Sequence, residues 1–301
     1  MFIAREISRS GDPSDNSQSF KDLKINILCC RYWWFSIWKC QKMSFPFWRL
    51  YWNGSHGAYV HYEHKTYLLP NKLYLIPPGT AYSGDIENSA LQLESPYYFK
   101  GGRIHSHAEE KQHLAQGHML HFFIHFTLGL HFDHVVPGVY EIELTREVQA
   151  NLEHILRVLV HEAKAFPSKE SLAVYHLILS ALNRLPRSTW QSKKLEPRIT
   201  SVLEYIETNL SAPITTQSLA SRHHLSPGTF TRLFKKNMGI SPAKYLAQAR
   251  IDKACSLLSH TGTSIEDIAS KCGFSDRYHL TKVFSKLKNT SPAAYRKGTG
   301  F

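Results

Sequence analysis

The chain has 301 residues, of which 43% are hydrophobic and 12% aromatic, and its formal net charge is +12. These proportions exclude a globally disordered chain and suggest about two domains, at roughly 100–200 residues each. The longest apolar stretch, residues 25–38, is interrupted by Arg31 and is shorter than the roughly 20 residues of a membrane helix. It also begins too far along the chain for a signal peptide. We therefore predict a buried pair of strands there and no membrane partner.

Cysteine usage and the absence of common enzyme motifs narrow the class of protein further. The five cysteines are odd in number and form no C-x-x-C pair, which argues against a disulfide framework and favours a reducing cytoplasm. The chain contains no G-x-S-x-G, P-loop, H-E-x-x-H or glycine-rich dinucleotide signature. We therefore predict no catalytic residue, no cofactor and no enzyme activity.

The positive charge is concentrated in the C-terminal part of the chain. Residues 187–301 contain 18 Lys and Arg against 7 Asp and Glu, a net charge of +11, whereas the first 186 residues contain 18 against 17. A basic excess confined to about a third of the chain is typical of a domain with a polyanionic partner. The charge favours nucleic acid as that partner, and the alternative is a basic, solvated surface.

The N-terminal part of the chain has the pattern of a β domain. Residues 1–20 are polar and rich in turn formers, and we predict a mobile arm there. From about residue 25 to residue 140, short runs of β-branched and aromatic residues alternate with turn signals at spacings near ten residues. This pattern predicts an all-β sandwich or barrel. The clearest turn signals are Asn53-Gly54, Pro77-Pro78-Gly79 and Pro137-Gly138.

The hydrophobic period then changes to that of a helix. Thr145 and Ser168 are the predicted N-caps of two helices that form an antiparallel hairpin. The apolar stripes of the hairpin could pack on the β domain, on each other or on a second subunit. The stripes comprise Val148, Leu152, Ile155, Leu159 and Ala163 in the first helix, and Leu172, Tyr175, Ile178, Leu179 and Leu182 in the second.

Beyond a polar linker predicted at residues 186–197, the chain contains a duplicated pattern. Each copy predicts a short helix, a tight turn and a second helix, opened by Ser226 or Ser275 and closed by a glycine or an asparagine. This is the helix-turn-helix unit, whose second helix enters the major groove of DNA. The repeat is carried by Phe234, Gly239, Pro242 and Tyr245 in one copy and by Phe284, Asn289, Pro292 and Tyr295 in the other.

Residues 241–260 separate the two copies and predict a helix of about 17 residues, which spans roughly 25 Å at 1.5 Å per residue. A rigid helix of that length can hold two helix-turn-helix units on one side of a duplex, near the ~34 Å repeat of successive major grooves. The duplication therefore predicts a protein that reads two grooves.

The stretch from about residue 202 to residue 297 resembles the DNA-binding domain of the arabinose-regulator (AraC/XylS) family of bacterial transcription regulators. The departures are small: His279 and Leu280 stand where the family usually has two aromatic residues, and Asn289 replaces the usual glycine. The resemblance implies double-stranded DNA as a partner. It is carried by SIEDIASKCGFSDRYHLTKVFSK (264–286), TSPAAYRKG (290–298) and FTRLFKKNMGISPAKYLAQARIDKACSLL (230–258).

The resemblance also implies an organisation for the whole chain, of the α+β multidomain class. Members of this family often carry an N-terminal cupin-like β domain that binds a small effector, followed by a helical hairpin for dimerisation. An unidentified small-molecule effector and a homodimer are therefore expected, with RNA polymerase as a further candidate partner. The predicted parts are an arm at 1–20, a cupin-like effector domain at 21–185 with dimerisation helices at about 145–185, a linker at 186–197, and a DNA-binding domain at 198–301.

Candidate site residues follow from the same resemblance and from aromatic content. Trp48, Tyr51 and Trp52 are candidates for effector binding, since aromatic rings can stack on a sugar, although such rings in a β domain more often form plain core. Arg232 and Lys282 occupy equivalent places in the two copies. The candidate base readers are Gly228, Thr231, Arg232, Arg277, Tyr278, Thr281 and Lys282, and the candidate phosphate contacts are Lys235, Lys236 and Lys286.

The many histidines of the β domain raise an alternative. His105 and His107 form an H-x-H followed by acidic residues, as in the metal-binding cupin motif. The spacing from Gly102 is too short for that motif, and the polar segment of His105 and His107 predicts a loop. His121 and His125 suit a strand face better than a ligand set, so we predict no metal site. A metal-dependent cupin enzyme fused to a DNA-binding domain and an effector-independent DNA-binding protein remain the alternatives.

Overall fold

The computed structural model describes residues 23–55, 57–68, 72–86, 97–133, 135–161, 166–190 and 195–299, so the predicted arm at 1–20 lies outside the described residues. The described strands form one antiparallel sheet, in the order β4-β3-β6-β1-β8-β2-β5-β9, with β7 also paired to β1. The strands are β1 (Asn26–Met43), β2 (Trp48–Asn53), β3 (Ala58–Tyr62), β4 (Lys65–Leu68), β5 (Leu73–Ile76), β6 (Tyr82–Ile86), β7 (Tyr97–Arg103), β8 (Met119–Thr127) and β9 (Tyr140–Ile142).

The long first strand curls the sheet into a half-barrel. The predicted pair of strands at residues 25–38 is wrong, because β1 is a single strand of 18 residues. No glycine, proline, asparagine or aspartate lies between residues 27 and 43, so the strongest turn formers are absent from that stretch. Instead, the strand bends where its pairing register with the neighbouring strands shifts, between Ile27 and Cys29 and between Phe35 and Ile37. It pairs with β8 along its first half and with β7 and β6 along its second half.

The two faces of the half-barrel belong to two different hydrophobic cores. Successive side chains of a strand point to opposite faces of the sheet. In β8, Leu120 and Phe122 pack in the core shared with the helical hairpin, whereas Met119 and Phe123 pack in a second core that includes buried residues of the C-terminal helices. The sheet is therefore the layer between the hairpin and the C-terminal domain.

A helix that the sequence analysis did not predict stands beside β8. The polar segment after His105 was interpreted as a loop, but α1 (His107–Ala115) is a nine-residue helix. The Ser106 hydroxyl accepts a hydrogen bond from the backbone N–H of Glu109, at 3.1 Å, and so caps it. A short helix, α2 (Leu130–Asp133), follows β8.

The predicted hairpin is present as α3 (Arg146–Val160) and α4 (Ser168–Leu182). Thr145 caps α3 as predicted, but Pro167 rather than Ser168 occupies the cap position of α4. The predicted stripe of α3 is buried at every described position, and Ala163 lies outside the described residues. The predicted stripe of α4 is partly wrong, because Val174, Leu177, Ile178, Ala181 and Leu182 are buried while Leu172 and Leu179 are exposed.

The predicted linker begins with a packed segment. Residues Arg187–Trp190 form a 3-10 turn with Thr189 buried, and the ring of Trp190 lies 5.9 Å from both Trp48 and Phe132. The start of the linker therefore packs against the β domain, and residues 191–194 lie outside the described part of the chain.

The C-terminal domain is all helical and contains both predicted helix-turn-helix units, as α6 with α7 and α9 with α10. Between them α8, of 19 residues, spans roughly 28 Å. Its helices are α5 (Pro197–Thr208), α6 (Thr216–Ser221), α7 (Pro227–Met238), α8 (Pro242–His260), α9 (Ile265–Lys271), α10 (Arg277–Lys288) and α11 (Pro292–Thr299).

The caps explain why the two copies differ by one residue. Ser226 caps α7 as predicted, but Asp276 rather than Ser275 caps α10, so Ser275 is the additional residue in the second turn. Gly239 and Asn289 end the two second helices in the left-handed region, with φ of 75° and 55°, as the sequence predicted.

Gly273 holds the turn of the second unit against the rest of the domain. Its φ is 78°, and a Cβ at this position would overlap the carbonyl oxygen of Leu210 and lie 2.8 Å from the guanidinium of Arg250. That guanidinium donates from its Nε to the Leu210 carbonyl, at 3.0 Å. The glycine therefore permits both the backbone conformation and the close approach of the two halves of the domain.

We predict that Gly273→Ala lowers the free energy of unfolding by about 2–5 kcal/mol, because the left-handed backbone and the steric overlap both carry a cost. Gly239→Ala is the matched control: φ is also positive there, but nothing lies within 4 Å of the added Cβ. Its loss should be only about 1–2 kcal/mol. Urea unfolding followed by circular dichroism measures both, and equal losses would contradict the packing argument.

Candidate nucleic-acid interface and interdomain cavity

Helix α7 buries one face and exposes a basic one. Ser226 accepts from the backbone N–H of Thr229, at 3.2 Å, and Pro227 occupies the first turn, which suits its fixed φ. Phe230 and Phe234 are buried in the core of the domain. Among the predicted DNA contacts, Thr231 is half-buried, and the exposed ones are Gly228, Arg232, Lys235 and Lys236.

Helix α10 repeats this arrangement with a different cap. The carboxylate of Asp276 accepts from the backbone N–H of His279, at 2.7 Å, and this bond lowers the pKa of Asp276. Leu280 and Phe284 are buried. Thr281 is half-buried, and the exposed predicted contacts are Arg277, Tyr278, Lys282 and Lys286.

Arg277 and Tyr278 form a joined pair at the start of α10. The guanidinium lies 4.8 Å from the centroid of the tyrosine ring and donates to its hydroxyl, at 2.9 Å. Tyr278 is 71% exposed, the highest value among the exposed large hydrophobic residues that the structure describes. An exposed aromatic ring held by a cation has no packing role, so the pair is available for a partner.

The lysines near the C-terminal ends of α7 and α10 have a structural role as well as their candidate role in phosphate contact. Lys235, Lys236 and Lys286 lie in the last turns of α7 and α10, where a positive charge also stabilises the helix dipole. Lys288 differs, because it is paired with Asp252 at 3.1 Å. None of the ten predicted DNA contacts is buried, and each lies on α7 or α10.

A cavity lies where the β half-barrel meets the C-terminal end of α8. The centre of a water molecule can reach about 50 Å³ of it, which corresponds to about four waters. Arg31 is the only permanently charged residue among the described residues of the lining. Aromatic side chains and histidines supply most of the rest: Trp33, Phe35, Trp38, Phe45, Phe47, Tyr51, Tyr82, Phe99, His121, Phe123, His125 and His260, together with Cys29 and Ser259.

Of the three residues predicted to bind an effector, only Tyr51 lines this cavity. Trp48 and Trp52 lie on the opposite face of β2, since side chains alternate along a strand. Trp48 is fully buried, and its indole N–H donates to Asp133, at 2.9 Å, so it is a core residue. The turn and hydrophobic pattern located β2 but did not indicate which of its faces meets the cavity.

The histidines of the cavity are neutral near pH 7. Burial lowers the pKa of His121 to about 3 and that of His260 to about 4, and it lowers the pKa of His125 as well. His121 is fixed by a hydrogen bond to the side chain of Asn53. The cavity therefore combines apolar walls with neutral imidazoles and one guanidinium.

The H-x-H segment lies elsewhere. His105 and His107 are exposed at the start of α1. The backbone N–H of His105 donates to Glu109, at 2.7 Å, and His107 lies 3.0 Å from Glu110. The fold thus gives these two histidines local partners on α1, and they are not among the described residues that line the cavity.

Comparisons with known proteins agree with this arrangement. A family described as "Helix-turn-helix domain" matches residues 219–298. The HTH-type transcriptional activator RhaS of Escherichia coli O1:K1 is 29% identical over 157 residues, covering 52% of this chain and 55% of that protein. RhaS of Klebsiella pneumoniae is 30% identical over 137 residues, covering 46% and 48%. The chain thus matches about half the length of these curated relatives.

A solved structure matches nearly the whole fold. ToxT from Vibrio cholerae superposes with a TM-score of 0.50 and 12% identity, covering 93% of this chain and 100% of that one. The expected architecture, a cupin-like β domain with a helical hairpin and a domain of two helix-turn-helix units, is confirmed. Among the residues that the structure describes, no helix combines the length and apolarity needed to cross a bilayer.

The duplicated, capped units and the matched family define a helix-turn-helix protein. The relatives specify the class further: the domain at residues 219–298 is of the arabinose-regulator (AraC/XylS) type.

We predict that Arg232→Ala weakens binding to the preferred duplex roughly 5- to 150-fold and relaxes base choice at one or two positions. A guanidinium can contact guanine O6 and N7 together, which is worth about 1–3 kcal/mol against the wrong base. Lys236→Ala, later on the same helix, should weaken all duplexes alike and reduce the log–log salt slope by about one. Duplexes selected from a random pool, and their single-base variants, are titrated at two salt concentrations. A uniform loss with unchanged base preference for Arg232→Ala would contradict its role as a reader.

Proposed function

We propose that this protein is a sequence-specific transcription regulator of the activator type, whose two exposed second helices contact successive major grooves of one duplex. The observation that carries the proposal is the duplication itself: α7 and α10 have equivalent cap positions, a buried face with Phe234 or Phe284 at the same place, and an exposed basic face. The 19-residue α8 separates them by a length suited to neighbouring grooves. Activation rather than repression is proposed because the curated relatives are described as activators.

The cavity is the proposed effector site. Its walls come from both domains, since Ser259 and His260 belong to α8 and the remaining lining residues belong to the β domain. A molecule that fills it contacts both, so its binding free energy depends on how the domains are docked. The lining favours a compact, largely apolar effector that carries an acceptor or anionic group for Arg31.

Helix α4 supplies the proposed dimer contact. Leu172 is 67% exposed and Leu179 43% exposed, seven residues apart and so on one face of the helix. Tyr175 on the same side is half-buried. Exposed leucines at helical spacing are expected to pack on a second copy, and the buried stripe of the hairpin is already used against the sheet.

The experiment that tests the function is selection of duplexes by the purified full-length chain, followed by titration over a range of salt. We predict a discrete preferred sequence and a log–log slope of about −5 to −7, as expected for 6–8 phosphate contacts. A slope shallower than about −2 would mean that the basic excess is only a solvated surface. Repeating the titration across a panel of metabolites tests the effector, and unchanged affinity throughout would favour an effector-independent DNA-binding protein.

The dimer is tested by Leu172→Glu combined with Leu179→Glu, which should convert a dimer into a monomer because two carboxylates would be buried without partners. Leu114→Glu is the matched control, since Leu114 is 42% exposed and lies on α1 rather than on α4. Sedimentation velocity measures both variants. A monomeric parent protein, or a double variant that remains dimeric, would exclude this surface.

A further inference from the structure

Three side chains of metal-ligand type meet at the junction of the two domains. Cys29 on β1, His125 on β8 and His260 at the end of α8 bring their ligand atoms within 4.8 Å of one another. Nδ1 of His125 lies 2.9 Å from Nε2 of His260. Cys29 and His125 are opposite each other in the antiparallel pairing of β1 with β8, so the sheet itself sets two of the three positions.

The hydrogen bonds around His260 present one ring nitrogen to this cluster. Its Nδ1–H donates to the carbonyl oxygen of Ser256, at 2.7 Å, so the lone pair is on Nε2, which faces His125. A histidine that ligates a metal almost always donates its other N–H in this way, because the bond fixes the tautomer and orients the ring. Burial also keeps the ring neutral by lowering its pKa to about 4.

Nδ1 of His125 faces the cluster, and its other ring nitrogen, Nε2, is available to carry the ring proton when Nδ1 binds an ion. Its Nε2 is buried and has no hydrogen-bond partner among the residues that the structure describes. A buried imidazole nitrogen without a partner is uncommon and costs free energy. The ring of Phe47, 4.8 Å from His125 and 5.0 Å from His260, packs against both imidazoles and restricts their rotation.

The surroundings of Cys29 allow a thiolate to form when an ion is present. The backbone N–H of His125 donates to the sulfur, and Arg31 lies two residues along the strand; both lower the pKa of the thiol, although burial raises it to about 11 overall. The thiol therefore keeps its proton until a metal ion displaces it. The other charged or titratable groups that act on the cluster are His121 on β8 and Arg49 on β2.

We propose that Cys29, His125 and His260 bind a zinc ion that joins the β domain to the DNA-binding domain. Two imidazoles and one thiolate are a ligand set that zinc accepts, at about 2.0–2.3 Å per bond, which places the ligand atoms about 3.3–3.7 Å apart. Nδ1 of His125 and Nε2 of His260, which are joined by a hydrogen bond at 2.9 Å, need to separate by about half an ångström, and the sulfur needs to approach. On metal binding the proton of His125 moves from Nδ1 to Nε2, and small adjustments of the three side chains supply the change in distance. All three residues line the cavity, so a water molecule or an anionic group from the cavity can occupy the fourth position.

The site couples metal binding to domain docking. Two ligands belong to the sheet and the third to the helix that connects the two helix-turn-helix units, so all three converge only in the docked arrangement. An ion that binds this arrangement alone stabilises it by mass action. Metal binding does not depend on the proposed function, whereas the effect of the ion on DNA binding rests on it.

The first test uses Co²⁺ as a spectroscopic substitute for Zn²⁺ in the full-length protein. We expect one ion per chain and a thiolate-to-cobalt charge-transfer absorption, displaced by Zn²⁺. Cys29→Ser should abolish that absorption, and Cys29→Ser or His260→Gln should each weaken zinc affinity about 100-fold or more, measured against a chromophoric chelator. No thiolate absorption in the parent protein, or the same absorption in Cys29→Ser, would overturn the site.

Matched controls separate this site from other metal binding. Cys30→Ser removes the neighbouring thiol, which packs in the core on the other face of β1. His113→Gln removes one histidine of a second close pair, in which Nδ1 of His113 lies 2.9 Å from Nδ1 of His118. The ring of His113 stacks on Trp34, and the metal-ligand cluster found among the described residues does not include this pair. Both controls should keep the thiolate absorption and the zinc affinity, and loss of either in a control would place the ion elsewhere.

The second test measures affinity for the selected duplex with Zn²⁺ and with a chelator. Zinc should change the affinity of the parent protein at least about fivefold and should not change that of Cys29→Ser. If the parent protein shows the cobalt absorption but binds the duplex equally well with zinc and with the chelator, the coupling is overturned and the metal site stands. A protein that binds no duplex under either condition would overturn the proposed function, and the cobalt result would still decide the metal site.

Discussion

The contact of α8 with the concave face of the β half-barrel is the interaction on which the rest of the molecule depends. Residues of the second helix-turn-helix unit and residues of the sheet form one continuous core, in which Ile251 and Leu258 of α8 share a cluster with Phe123 of β8 and Trp38 of β1. The domains are therefore joined by apolar packing as well as by the chain between them.

Helix α8 also organises the DNA-binding domain itself. Arg250, near its middle, donates to the carbonyl oxygens of Leu210 and Ala212, at 3.0 and 2.7 Å, and so satisfies groups beyond the C-terminus of α5. Its C-terminal residue, His260, closes the cavity. One helix thus contacts the first unit, the second unit and the β domain, so the proposed effector site is connected to both candidate reading helices by one rigid element.

The junction is polar at its centre, which makes it adjustable. The apolar core would dock the domains permanently, but the buried imidazoles of His125 and His260 interrupt it, and Nε2 of His125 has no partner among the described residues. A buried unsatisfied nitrogen costs about 1–3 kcal/mol. A ligand that satisfies such a group has a differential affinity for the docked state, which is the requirement for a population shift.

Local features were predictable because their causes lie within a few residues. The caps at Thr145 and Ser226, the left-handed ends at Gly239 and Asn289, and the duplicated aromatic cores all depend on hydrogen bonds or contacts that span three to four positions. The same holds for the concentration of charge, which is a property of composition. These features identified the two helix-turn-helix units and their exposed faces.

Other predictions failed where long-range packing decided the outcome. The continuous strand β1 was mistaken for two, since a curl through bulges has no turn residues to mark it. The stripe of α4 was partly misassigned because the helix is apolar on more than one side, with Leu172 and Leu179 turned outward. Because side chains alternate along a strand, Tyr51 lines the cavity while Trp48 and Trp52 pack in the other core. The sequence alone did not reveal which of these residues would face the cavity.

The sequence by itself determined the class of each domain, the duplication and the chemistry of the exposed helix faces, because hydrophobic period, capping residues and charge are properties of short segments. Only the tertiary structure decided where the two domains touch. Cys29 and His260 stand at opposite ends of the chain, yet the pairing of β1 with β8 and the docking of α8 bring them together. Such proximity depends on strand register and on packing between elements remote in sequence, and no local pattern encodes it.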